Sequence, residues 1–212
     1  MNHLYNIFIK LIDKLILPIL GLFNPKIKRF RTNRLSLIEK IKNEVSDKNN
    51  IIWFHVASLG EYEISVPLIR LIKEKYKSKI ILTFFSESGF KLKNRIKEID
   101  YTYYLPLDTK RNAKKFLDII NPELVIFVRS EIWPNYLNEI KKRKIKSYLV
   151  ESRFNEKSRY LKGVQSIFYL KKLKIFDKIF TVDEESKKAL NRVKINNAVV
   201  SGSLKIERVK DY

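Results

Sequence analysis

Two short stretches of the 212-residue chain place acid–base side chains where a ligand could reach them. In Ser58-Leu59-Gly60-Glu61, a glutamate stands at the mouth of a strand-to-helix turn, and Gly60 lets a ligand approach the backbone closely; this is a setting for a general base. The same Ser-x-x-Glu spacing is a capping box, with Ser58 accepting from the Glu61 amide and the Glu61 side chain reaching back to the Ser58 amide. Spacing alone favours the cap and leaves catalysis open. Glu131-Ile132-Trp133-Pro134-Asn135 sets a carboxylate, an indole and an amide within five positions, a combination that suits a sugar, with a helix start carrying a half-buried Trp as the structural alternative. His55 lies inside an apolar run without a metal-ligand partner nearby and reads as a satisfied core histidine. Lys141-Lys142-Arg143-Lys144 closes a helix, where cations complement the macrodipole, and reads as a solvated face.

Composition removes other chemistries. With no cysteine and only His3 and His55, disulfides, thiolate metal sites and thiol nucleophiles are absent, and a zinc enzyme is disfavoured. The five glycines, at 21, 60, 89, 163 and 202, are too far apart for a dinucleotide fingerprint, a nucleophile elbow or a P-loop. Lys and Arg total 44 against 23 acidic residues, a formal charge of +21 that attracts polyanions: nucleic acid, an anionic membrane or a phosphorylated lipid. Compositional drift in an Ile-, Asn- and Lys-rich chain explains the same excess.

The elements that would hold these residues follow from periodicity. Apolar runs at 51–57, 79–85, 101–105, 123–129, 145–150, 178–182 and 198–201 alternate with helix-period segments at 61–76, 88–98, 109–120, 131–143, 157–174 and 184–192. This predicts an α/β fold, a Rossmann-like parallel sheet with flanking helices. In such sheets ligands bind beyond the carboxyl ends of the strands. The segments there carry Ser58 to Glu61, Ser86 to Gly89, Asp108, Ser130 to Asn135, Glu151 to Arg153 and Gly202 to Lys205, a mixture suited to a polyhydroxylated or phosphorylated ligand.

Upstream, Leu4, Phe8, Leu11, Ile12, Leu15, Ile16, Ile19 and Leu20 form one helical apolar face, and Lys26, Lys28, Arg29, Arg31 and Arg34 follow. An amphipathic interfacial helix with a basic segment against anionic headgroups fits this pattern; a helix docked on the domain's own core fits it as well. Charged residues, Pro18 and Gly21 interrupt any spanning or signal segment.

Five blocks together resemble the amino-terminal half of the 3-deoxy-D-manno-octulosonic acid (Kdo) transferase family. They are Phe54 to Glu61, Thr83 to Gly89, Tyr104 to Asp108, Ser130 to Asn135 and Ser201 to Ile206. The resemblance implies the N-terminal domain of a GT-B glycosyltransferase, with residues 1–34 a membrane-anchoring helix and basic segment, 35–212 the acceptor-binding domain, and the donor domain absent. It implies inverting transfer of Kdo from CMP-Kdo to a lipid A precursor at the cytoplasmic face of the bacterial inner membrane, without metal or cofactor. Glu61 would be the general base. Ser58, Gly60, Thr83, Ser86, Ser88, Gly89, Glu131, Trp133, Asn135, Arg153 and Ser158 would bind the acceptor, and Gly202, Ser203 and Lys205 would lie at a donor-proximal hinge. Arg129 departs from the family pattern by inverting the charge of an acidic position, and Glu151 stands where Asn is usual. A non-catalytic peripheral protein holding anionic lipid is the alternative; nucleic-acid binding has charge in its favour but no recognisable motif.

Overall fold

The computed structural model describes residues 1–90 and 98–205, with Ser88 described in its backbone only. Among the described residues, seven parallel strands form one sheet in the order β3-β2-β1-β4-β5-β6-β7. They are β1 Ile51–Val56, β2 Lys79–Phe84, β3 Tyr101–Tyr104, β4 Leu124–Val128, β5 Lys146–Ser152, β6 Lys178–Thr181 and β7 Ala198–Val200. Each falls on a predicted apolar run. Parallel strands are covered on both faces, so β1 and β4 read as continuous hydrophobic stretches rather than alternating ones, and every residue of β1 is buried.

Crossover direction sets the layers. Helices α5 (Leu59–Tyr76) and α6 (Glu87–Phe90) follow β1 and β2 as the chain moves outward to β3. Helices α7 (Lys110–Ile120), α8 (Pro134–Lys142), α9 (Ser166–Leu173) and α10 (Glu184–Arg192) follow β3 to β6 as it moves the other way to β7. Right-handed crossovers therefore place the two groups on opposite faces. Two apolar clusters result: Phe54, Tyr62, Ile69, Leu82 and Phe84 on one side, and Trp53, Ile81, Phe116, Phe127 and Leu137 on the other. The winding reverses between the adjacent strands β1 and β4, which opens the crevice at their carboxyl ends.

Several boundaries differ from the sequence reading. Helix α5 begins two residues early, and α8 begins at Pro134 instead of 131, because Pro is preorganised for a first helical turn and Arg129, at φ 64°, turns the chain away from β4 first. The helix expected over 157–174 is confined to Ser166–Leu173, since Gly163 at φ 79° and a turn in which the Ser158 hydroxyl accepts from Asn155 N–H break its first half. Helix α4 (Leu37–Glu44), which buries Leu37 and Ile41, has no counterpart among the expected helices. Of the helix expected over 88–98, residues 91–97 lie outside the described residues.

Gly89 has a packing role. A Cβ built there would overlap the Phe84 ring, which is fully buried in a close-packed core. Gly89→Ala is expected to destabilise the chain by about 1–3 kcal/mol, measurable by denaturant unfolding; wild-type stability would show that Phe84 can move.

The amino terminus folds as α1 (Asn2–Leu11), a π-helical turn over Ile12–Ile16, α2 (Leu17–Phe23) and α3 (Pro25–Thr32). Pro18 lacks the N–H that would continue the α-helical ladder, which accounts for the wider turn before it. The Asn24 side chain caps α3 by accepting from Lys26 and Ile27 amides. One edge of this unit docks on the domain: the Tyr5 hydroxyl donates to Asp108 Oδ2 at 2.7 Å and its ring packs against Phe168. Leu4, Ile7, Phe8, Leu11, Leu15, Ile19, Leu20, Leu22 and Phe23 remain exposed. No helix among the described residues is long and apolar enough to cross a membrane.

Arg34 corrects the reading of the basic segment. Its guanidinium turns inward, donating to the carbonyls of Phe30, Phe85 and Leu105 and lying over the Phe30 ring at 3.7 Å. Three carbonyls and an aromatic face replace the water it gives up, and burial pushes its pKa down to about 10.

Candidate active site

Glu61 sits in the first turn of α5, immediately beyond β1. The capping box does not form: Ser58 is extended with its hydroxyl making no cap bond, and the Glu61 carboxylate reaches one residue further back to accept from the Ala57 amide. This leaves the carboxylate at the crevice. Burial and the neighbouring Glu131 charge raise its pKa above the ordinary glutamate value, against the pull of the Ala57 N–H and Arg129. A carboxylate raised in this way is a stronger base than an ordinary glutamate, the direction that proton abstraction favours.

Glu131 comes from the turn after β4, on the other side of the winding reversal. Its Oε2 accepts from Trp133 Nε1 at 2.9 Å and lies 3.1 Å from His55 Nε2, while His55 Nδ1 lies 2.9 Å from Thr83 Oγ1. Phe85 packs against the Trp133 indole with ring centroids 4.9 Å apart, and His55 packs edge-on at 5.7 Å. Since Arg34 holds the Phe85 carbonyl and Phe30 packs on its ring, the amino-terminal unit braces this wall.

The remaining candidates divide into rim and support. Gly60 is exposed, and Ser58 and Ser86 are partly exposed at the rim; the Ser86 backbone N–H donates to the Ala57 carbonyl. Thr83 is fully buried under His55, so it supports the site from below. Asn135 is also buried: its amide donates to the Asp108 carbonyl, and the Asn135 and Tyr136 backbone N–H groups donate to the Asp108 carboxylate. The Ser88 side chain lies outside the described residues. Arg153 pairs with Asp183 at 3.7 Å, and Ser158 shapes its own turn. Their loop is tied to the Glu131 turn, because the Tyr160 hydroxyl donates to the Ser130 carbonyl at 3.2 Å.

Glu151, buried at φ 54°, holds the segment after β7: Ser203 donates to its Oε1 at 2.7 Å and the Leu204 N–H to its Oε2 at 2.8 Å. Gly202, at φ 76°, makes the turn, and Lys205 is exposed.

Three cationic or imidazole groups bear on the site in ways that local spacing does not give, and of these the sequence reading does not include Arg159. His55 is buried and satisfied as expected, yet its partner is Glu131; the β1–β2 register, which pairs His55 with Thr83, is the signal that places it. Arg129 acts electrostatically on Glu61, and Arg159, joined to the Tyr160 hydroxyl at 2.7 Å, feels the charge of Glu131. A separate groove of about 490 Å³, lined by Ile126, Tyr148, Val150, Phe180 and Leu204, is mainly apolar and includes neither Glu61 nor Glu131. The crevice is thus the place where two carboxylates, an indole face and two arginines converge, a donor and acceptor set for sugar hydroxyls with an anionic substituent.

Comparison with known proteins covers the same part of the chain. A family model described as 3-deoxy-D-manno-octulosonic-acid transferase matches residues 29–208. The transferase of that name from Rickettsia felis is 32% identical over 173 residues, covering 81% of this chain and 37% of the relative. That from Haemophilus influenzae is 27% identical over 161 residues, covering 75% and 38%. The chain therefore spans less than two-fifths of the length of these relatives. Among solved structures, a UDP-N-acetylglucosamine 2-epimerase from Rickettsia bellii superposes with a TM-score of 0.58 at 17% identity, over 76% of this chain and 47% of that one, a likeness of fold. The match over residues 29–208 and the 32% identity over 81% of the chain show that the chain belongs to the 3-deoxy-D-manno-octulosonic acid transferase family.

Proposed function

We propose that this chain supplies the acceptor side of Kdo transfer to a lipid A precursor in lipopolysaccharide synthesis, with CMP-Kdo as donor held by a further domain in a GT-B arrangement. The observation that carries the reading is the pair Glu61 and Glu131, brought from β1 and β4 to one crevice in a chain of this family. Glu61 takes the proton from an acceptor glucosamine hydroxyl, and the hydroxyl oxygen attacks the anomeric carbon of the donor sugar with inversion as the bond to the phosphate oxygen breaks and CMP leaves with its electron pair. Glu131 and the Trp133 face orient the acceptor sugar, while Arg129, Arg153 and Arg159 offer positive charge to its phosphates.

The exposed apolar face of α1 and α2, with Lys26, Lys28, Arg29 and Arg31 on α3 beside it, supports attachment to an anionic membrane, on this reading the cytoplasmic face of the inner membrane. The same surface supports the second reading, a peripheral lipid binder without catalysis. Co-sedimentation with liposomes containing tetra-acylated lipid A precursor, against phosphatidylglycerol liposomes of equal surface charge across a salt series, separates the two. Preference for the precursor that survives salt is the expected result. Equal binding that fades with salt would overturn the acceptor reading and leave a basic membrane coat.

A further inference from the structure

Glu131 reaches the crevice with one oxygen already committed. Oε2 takes the Trp133 and His55 donors, whereas Oε1 makes no hydrogen bond among the described residues and the side chain keeps 17% of its exposure. One oxygen fixed from behind and one open in front is the arrangement of a ligand-binding carboxylate.

The fixing group is a directional chain. Trp53 Nε1 can only donate, and it does so to Thr83 Oγ1 at 2.8 Å. The Thr83 hydroxyl has one proton, and its shortest acceptor is His55 Nδ1 at 2.9 Å; its approach to the Phe54 carbonyl is longer, at 3.3 Å. A neutral imidazole that accepts at Nδ1 carries its proton on Nε2, where the Glu131 carboxylate accepts it. Every donor from Trp53 to Glu131 then has one acceptor. His55 and Thr83 are fully buried and in register on β1 and β2, so the chain is as rigid as the sheet.

We propose that His55 is a positioning residue that, through its Nε2 proton and its bond from Thr83, holds Glu131 with Oε1 turned to a hydroxyl of the acceptor sugar. This rests on the acceptor reading above. It differs from a space-filling role, because an imidazole that only filled the core would be replaced as well or better by an aromatic ring. Gln can return an N–H near the Nε2 position, Asn only near Nδ1, and Phe neither.

The test uses the full chain and the same two vesicle types. His55→Phe and His55→Asn are expected to lose about tenfold to a hundredfold of the salt-resistant precursor binding, as for a lost bond to a charged group. His55→Gln is expected to keep it within about threefold. Thermal unfolding should rank Phe at least as stable as Gln, the reverse of the binding order. In parallel, ¹⁵N NMR of the two histidines, with exposed His3 as internal reference, should show His55 as the Nε2–H tautomer. Its Nδ1 resonance should respond to Thr83→Val and its Nε2 proton to Glu131→Gln. Wild-type binding by His55→Phe, failure of Gln to rescue, or the opposite tautomer would each overturn the proposal. Should the wild-type chain show no preference for the precursor, the functional reading fails. The proposal is then decided by the NMR arm, where a Nε2 proton indifferent to Glu131→Gln would sink it.

Discussion

Glu61→Gln, in a transferase completed by a donor-binding half, is expected to lower Kdo transfer by about 10²- to 10⁴-fold, the range for removing a positioned general base. The fold should survive, because the glutamine carboxamide oxygen can still accept from the Ala57 N–H that now holds the carboxylate. Precursor binding by vesicle sedimentation should stay near wild type, since the acceptor-orienting groups on the β4 side are untouched. Wild-type pH dependence supplies an independent check. The base must be deprotonated to act, and burial and the Glu131 charge raise its pKa; the rate should therefore climb with pH above the ordinary glutamate range. Glu131→Gln removes the like charge and should move that limb to lower pH. Undiminished transfer by the Glu61→Gln enzyme would assign the proton to another group and leave Glu61 as an α5 anchor.

The sheet was legible because its central strands β1 and β4 are covered on both faces and almost apolar throughout, while the outer strands keep short runs of β-branched and aromatic residues between helix-period segments. The rim was legible for the same reason: once β1 and β4 are placed, Glu61 and Glu131 fall in the turns just beyond their carboxyl ends. The contacts inside the rim were less so. The Ser58–Glu61 spacing fits a capping box, but it cannot reveal that an extended Ser58 leaves the Ala57 amide nearer to the carboxylate. His55 looked solitary since its partner Glu131 is 76 positions away and meets it only after two strands pair. Arg34 looked solvated because charge predicts exposure, while the carbonyls that accept it come from Phe30 and from the residues just beyond β2 and β3. The apolar spacing over 157–174 carried a helix across Gly163, where φ is positive and the ladder stops. Long-range pairing and backbone sign are the two things that local periodicity does not encode.

Asp108 carries the second large expected effect, on stability. It lies fully buried at the junction of three elements, accepting from the Asn135 and Tyr136 amides at the start of α8 and from the Tyr5 hydroxyl of α1. Those donors favour the carboxylate, yet desolvation dominates and pushes its pKa up to about 7. The unfolded chain titrates this group at an ordinary value of about 3.9. Between the two values the folded protein holds one more proton than the unfolded one, so stability falls as pH rises. The contribution is fully present below about pH 4 and falls by about 1.4 kcal/mol per pH unit until it is lost through pH 7. Asp108→Asn removes this slope and, because one amide oxygen replaces two acceptors, should cost about 2 kcal/mol at acidic pH. The wild-type and variant curves should therefore cross at about pH 5.5, leaving the variant the more stable by about 2 kcal/mol at neutrality, and their difference isolates Asp108 from Glu61, whose raised pKa acts in the same direction in both. Tyr5→Phe removes a donor to the carboxylate, raises Asp108 further and should extend the falling limb to higher pH, with α1 more open to protease. Parallel wild-type and Asp108→Asn curves from pH 4 to 8 would show that the three donors hold Asp108 ionised throughout, and α1 would then be fastened by a charge-assisted bond that acidification breaks.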